Sequence, residues 1–324
     1  MSQRSTAPLK RSTIRRTLHW FWWVTRKKPF AAFMAVFTSV TYTALLNYAN
    51  TYVMGLIVDR VSAEPVPAAQ VFAVFAPYVV ALLLVNAVGQ TCSKLQDWSV
   101  MQLDMNGNYH LARLCFDTLS NQSMTFHTSR FGGSLVSQTS RFMSGYVGLV
   151  DVVVYSLIPT LASIVCTIVL LWPASPLFVC VLFVMLTLYV TVAYTMYQRI
   201  LPLSAATSAA QSRLSGVLSD AVTNILAVKT CGREDFEREL FDAADREALA
   251  AERVSMGAMM RRGAMTSTLI TIIMFITSIF VVGGNAWYGI SAGTLVMMFT
   301  YTYNVFEELC RNPVQSTNSF VCAG

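Results

Sequence analysis

Lys229-Thr230 is the nearest approach in this chain to the end of a phosphate-binding loop, and the surrounding residues do not support that chemistry. Such a loop wraps phosphate oxygens in backbone N–H groups, which requires glycines leading into the lysine. Val228 precedes Lys229, and no glycine run leads in. Gly132–Gly133 and Gly283–Gly284 supply no phosphate-binding lysine either. His19, His110 and His127 are scattered, and the seven cysteines contain no C-x-x-C pair, so neither a zinc site nor a disulfide framework is expected. No Ser/His/Asp or Cys/His arrangement stands out. The reading is a chain that is not an enzyme, with no catalytic, metal-binding or cofactor-binding residue of its own.

Polar residues do recur at helical spacing inside apolar sequence. Ser39, Thr43, Asn47 and Asn50 fall at i, i+4, i+8 and i+11. A polar stripe on a membrane helix is costly against lipid and is expected to face other helices. It either lines a substrate path or forms hydrogen bonds between helices. Asn86, Gln90, Tyr301, Tyr303 and Asn304 carry the same two readings. Thr43, Asn47, Asn50 and Asn304 are the cavity candidates.

The elements that must position these residues are apolar spans. Of 324 residues, 55% are hydrophobic and 12% charged, far from the quarter charged that is usual in soluble domains. Six spans are expected: Pro29–Val58, Val71–Cys92, Val152–Leu171, Leu177–Tyr197, Ala264–Ala286 and Thr294–Cys310. Together they predict an all-α integral membrane fold over residues 29–312. A tail and amphipathic surface helix precede it at 1–28, and a short tail follows at 313–324.

Of the 23 Lys and Arg residues, all but Arg60 fall on one side of these spans, and eight precede Pro29 with no acid among them. Cationic segments resist translocation, so both ends are expected in the cytoplasm of a multi-pass protein of the cell (plasma or inner) membrane. The same asymmetry accounts for the net charge of +6 without nucleic acid. In residues 12–28, Trp20, Trp22 and Trp23 suit a helix at headgroup depth, making membrane lipids a partner.

The segments 93–150 and 198–263 are too long, and too poor in Pro and Gly, to be structureless. Each is expected to be a pair of helical extensions. A 50-residue helix is about 75 Å long against a bilayer core of about 30 Å, so much of it must project. No span carries an ionisable residue near its centre, which argues against ion-coupled transport. Any work done on a substrate must enter from outside the membrane.

Two segments resemble the inner loops of ATP-binding-cassette (ABC) exporters, type 1 transmembrane domain. The first runs Leu119 to Phe142 and includes Phe126-His127-Thr128-Ser129-Arg130-Phe131-Gly132-Gly133 and the pair Ser140-Arg141. The second runs Leu214 to Glu237 and includes Asp220, Ile225-Leu226-Ala227-Val228-Lys229 and Glu234-Asp235-Phe236. The resemblance covers about residues 15 to 312, and Ser144 stands where the family usually has an acid.

It implies six helices with long cytoplasmic extensions and a homo- or heterodimer with another transmembrane domain. It also implies ATP hydrolysis in a nucleotide-binding domain that is separate or missing. Coupling helices are implied at Met124–Arg130 and Gly232–Leu240, with Phe126, His127, Arg130, Glu234, Asp235 and Phe236 meeting that domain. The function so implied is an exporter's permease domain for an amphipathic, lipid- or drug-like substrate. The alternative is a truncated, non-transporting fragment or interaction subunit.

Overall fold

The computed structural model describes residues 11–63, 67, 70–128 and 132–323, with side chains given for all of these except 11–14, 127, 128, 132–135, 137, 285, 287 and 310–323. The elements are α1 (Arg11–Thr25), α2 (Pro29–Thr43), a π-helical segment (Ala44–Ala49), α3 (Asn50–Ala63), α4 (Val71–Ser120), α5 (Met124–Thr128) and α6 (Gly132–Val152). A second π-helical segment (Val153–Leu157), α7 (Ile158–Leu171), α8 (Pro176–Thr223), α9 (Ile225–Thr230), α10 (Glu234–Tyr288) and α11 (Ala292–Ala323) complete the chain. Among the described residues there is no strand.

Five helical stretches are long and apolar enough to cross a membrane: Pro29–Ala63, Val71–Ser120, Gln138–Leu171, Pro176–Thr223 and Glu234–Gly284. None of the most apolar stretch of α4 is buried within the chain. The chain is a multi-pass membrane protein. Six spans were expected, and α11 falls outside the five. Its apolar residues are interrupted by Tyr301, Thr302 and Asn304, which hydrogen-bond within the helix or to α2–α3. Polarity that lowers its hydropathy is thus used inside the bundle.

The chain divides into two compact units, residues 180–275 and the remainder. In the larger unit, α2 packs along α4, α4 along α6, and α11 against α3, α6 and α7. One core cluster joins Phe21 and Val24 of α1 to Ala31 and Ala35 of α2, Val100, Leu103 and Leu111 of α4, and Tyr146 and Val150 of α6. Gly107 is required there, because a Cβ would be driven into the Tyr146 ring. At the other end, a Cβ on Gly293 would meet the Gly55 carbonyl, so α3 and α11 touch backbone to backbone.

In the smaller unit, α8 and α10 are linked by Thr207 Oγ1, which donates to the Ala251 carbonyl (3.2 Å), and by the Arg213–Glu247 pair (2.7 Å). Both extensions read from the sequence are helical, each ending in one short separate helix, α5 or α9.

Candidate functional site: coupling helices and a polar network

α5 begins after Ser123, whose Oγ and carbonyl both accept from the Phe126 N–H (3.3 and 3.0 Å). A serine in this position satisfies an amide that the first helical turn leaves open. Met124 is 80% exposed, whereas Phe126 is half-buried. The side chain of His127, and the whole of Arg130, lie outside the described residues.

α9 is stopped by a glycine. Gly232 has φ of 61°, the Arg233 N–H reaches back to the Val228 carbonyl (3.0 Å) and the Gly232 N–H to Lys229 (3.4 Å). This pairing closes a helix end and needs a left-handed residue, which glycine adopts without cost. The Gly232–Leu240 helix implied by the resemblance is therefore displaced. Glu234, Asp235 and Phe236 begin the 55-residue α10, and the short helix is Ile225–Thr230.

The acids fit that position, since carboxylates favour the positive end of a helix dipole. Glu234 takes Lys229 as a partner (3.1 Å). A backbone amide bond and then Lys229 hold its carboxyl below the usual range. The Phe236 ring is covered by the Arg233 guanidinium (4.5 Å). On α9, Val228 is buried while Leu226 is 79% exposed.

Within the membrane, polar groups converge on the two π-helical segments. Pro159 lacks the N–H that would reach Val154 in a five-residue register. The Val154 carbonyl instead accepts from Ser39 Oγ (2.8 Å) and Gln96 Nε2 (3.3 Å). In the first segment, the Asn47 carbonyl accepts from Asn304 Nδ2 (3.1 Å) and the Tyr48 carbonyl from the Tyr301 hydroxyl (3.0 Å). The Tyr48 hydroxyl donates to the Ser163 carbonyl (2.8 Å) and meets Thr167 Oγ1 (2.9 Å). Asn86 Nδ2 donates to Asn50 Oδ1 (3.1 Å). Backbone irregularity in lipid is tolerated where side chains satisfy the freed groups, as here.

Residues 32–307 match the profile of the ABC transporter transmembrane region. The chain belongs to that family. A similar curated protein is ABC transporter B family member 6 of Dictyostelium discoideum, 28% identical over 136 residues, which is 40% of this chain and 19% of that protein. A similar solved structure is a bacterial Atm1-family ABC exporter with ATP bound, with a TM-score of 0.72 at 19% identity. The fit covers 92% of this chain and 51% of the exporter, so the chain spans about half of that protein.

In this ABC transmembrane region the cavity candidates meet different partners. Thr43 is wholly buried and donates to the Ser39 carbonyl (2.9 Å), so it lines no accessible path. Asn50 turns to α4, and Asn304 is spent on the Asn47 backbone. The Asn47 side chain is half-buried. Sequence reading missed Gln96, Tyr48 and Ser163. The signal for Gln96 was Pro159, whose missing N–H calls for a donor from elsewhere.

The shared acceptor gives a test. Ser39→Ala or Gln96→Leu alone leaves the Val154 carbonyl one donor, whereas the double variant leaves it none. The pair is expected to cost about 1–3 kcal/mol more than the two singles summed, in a thermal or denaturant double-mutant cycle. Strict additivity would show that the carbonyl does not depend on them.

Proposed function

We propose that this ABC transmembrane region is the membrane gate of an exporter, driven by ATP hydrolysis in a nucleotide-binding domain outside these 324 residues. The gate pairs with a second transmembrane domain, identical or not, with its extensions and both termini in the cytoplasm of the plasma or inner membrane. The chain itself performs no catalysis and holds no cofactor. The proposed substrate is amphipathic, lipid- or drug-like; of Met297, Met298 and Phe299 on α11, Phe299 is exposed and the two methionines are buried.

The observation that carries this reading is the pair of short helices, α5 and α9, each breaking a long helical hairpin and each exposing a large apolar residue, Met124 and Leu226. A nucleotide-binding partner seated on such residues could move the long helices as rigid bodies when it closes on ATP.

The experiment is purification from native membranes followed by ATPase assay in proteoliposomes. A stoichiometric nucleotide-binding partner, with hydrolysis stimulated by substrate, is the expected result. ATP-independent flux of the same substrate, or a chain with no such partner, would overturn it.

A further inference from the structure

We propose that Lys27, His110 and Arg113, with the exposed tryptophan edge of α1, form a seat for the headgroup of an anionic phospholipid in the leaflet on which α1 lies. This inference rests on the membrane fold and not on the transport reading.

The first observation is the lipid-facing surface of α4. Leu95, Trp98, Met101, Met105 and Tyr109 are all exposed, at spacings of three or four residues, while Gln96, Ser99, Leu103 and Gly107 on the opposite face are buried. An apolar stripe on an otherwise polar stretch is suited to lipid contact. It extends the greasy surface well past Cys92, as far as Tyr109, and ends beside His110 (ring centroids 5.1 Å apart).

The second observation fixes the depth of that end. Lys27, two residues before the Pro29 start of α2, lies 3.3 Å from His110 Nδ1 and 3.9 Å from the Trp23 ring centroid. Trp23 in turn meets Trp20 edge to face at 5.7 Å. α1 itself is clamped by Phe21, which packs on Phe142 and Tyr146 (5.2 and 5.4 Å), and by Thr25 Oγ1 at 3.2 Å from the Tyr146 hydroxyl. With Phe21 and Val24 turned into the protein, Leu18, Trp20, Trp22 and Trp23 remain exposed. Tryptophan and tyrosine on a clamped surface helix mark the headgroup layer.

The third observation is charge. Residues 1–58 contain no acid, and among the described residues no carboxylate pairs with Arg26, Lys27 or Lys28. Arg113 is held only loosely by Asp117, at 3.9 Å. Lys27 donating to Nδ1 requires the neutral form of the imidazole, and Arg113 lies about one turn further along α4. Burial, then Lys27 and Arg113, hold His110 below its ordinary range. A phosphodiester is the complementary group: it meets all three side chains while its acyl chains follow the α4 stripe.

The test uses the full chain in nanodiscs of phosphatidylcholine doped with phosphatidylglycerol, with retained lipid counted by native mass spectrometry. Wild type is expected to retain phosphatidylglycerol preferentially, and Lys27→Gln or Arg113→Gln to lose about five-fold of that preference, one cation each. Lys27→Arg should keep it, as should Arg246→Gln in the other compact unit. Trp20→Ala with Trp23→Ala should lower retention of both lipids alike. Unchanged preference in Lys27→Gln and Arg113→Gln would overturn the proposal. So would displacement of the lipid by free glycerol phosphate, which would make the ligand a soluble phosphate.

Discussion

Leu226→Asp is expected to abolish substrate-stimulated ATP hydrolysis while leaving the protein inserted and folded. Leu226 is 79% exposed on α9, so a charge there disturbs nothing inside the chain. If a nucleotide-binding partner buries it, the carboxylate must be desolvated in an apolar contact, and one such anchor is worth 2 kcal/mol or more in typical interfaces. Partner affinity should fall at least about thirty-fold, read by co-purification and ATPase rate. Phe236→Ala should do less, since that ring has Arg233 of its own chain over one face and is 51% exposed against 79% for Leu226. Equal losses in both variants would return the coupling role to the start of α10. Full activity in Leu226→Asp would remove α9 from the contact.

Gly293→Val should have the largest effect on stability. Gly293 sits where α11 begins against α3, and its N–H donates to Asp59 Oδ1 (2.6 Å) while Ser291 Oγ donates to Oδ2 (3.0 Å). The Asp59 carboxylate thus serves as a helix cap supplied from another helix. A side chain at 293 is driven into the Gly55 carbonyl and the Asp59 carboxylate together, so relief in one direction worsens the other. Overpacking of this kind costs about 1–3 kcal/mol, and loss of the charged cap adds a comparable amount. Asp59→Asn, which keeps the space and weakens the cap, should show the smaller part alone. A thermal unfolding midpoint unchanged in Gly293→Val would show that α3 and α11 do not need to meet so closely.

Much of the architecture was legible because membrane constraints are severe. Uncharged runs, basic asymmetry and two long polar insertions are enough to specify crossings and helical extensions. α11 was harder. Tyr301 and Asn304 read as ambiguous polarity in sequence, and only the packing shows them hydrogen-bonded within the bundle. A separate helix was expected at Gly232–Leu240 because Glu234, Asp235 and Glu237 look like the surface of a short acidic helix. They are the first turn of a long one, and Gly232 was the punctuation that separates it from α9. The polar stripe of Ser39, Thr43, Asn47 and Asn50 assumed a constant helical period. That period fails at Ala44–Ala49, so the hydroxyls and amides on either side of it turn to different neighbours.

The same geometry has a consequence for the third crossing. A π turn accommodates one more residue than the α turn it replaces, so a helical wheel drawn through Val153–Leu157 is out of phase by about 100° beyond it. That offset brings the Ser163 carbonyl and the Thr167 hydroxyl to the Tyr48 hydroxyl. Deleting any one residue of the segment would swing the whole of α7 by more than a quarter revolution, pointing both groups elsewhere although every α7 side chain is retained.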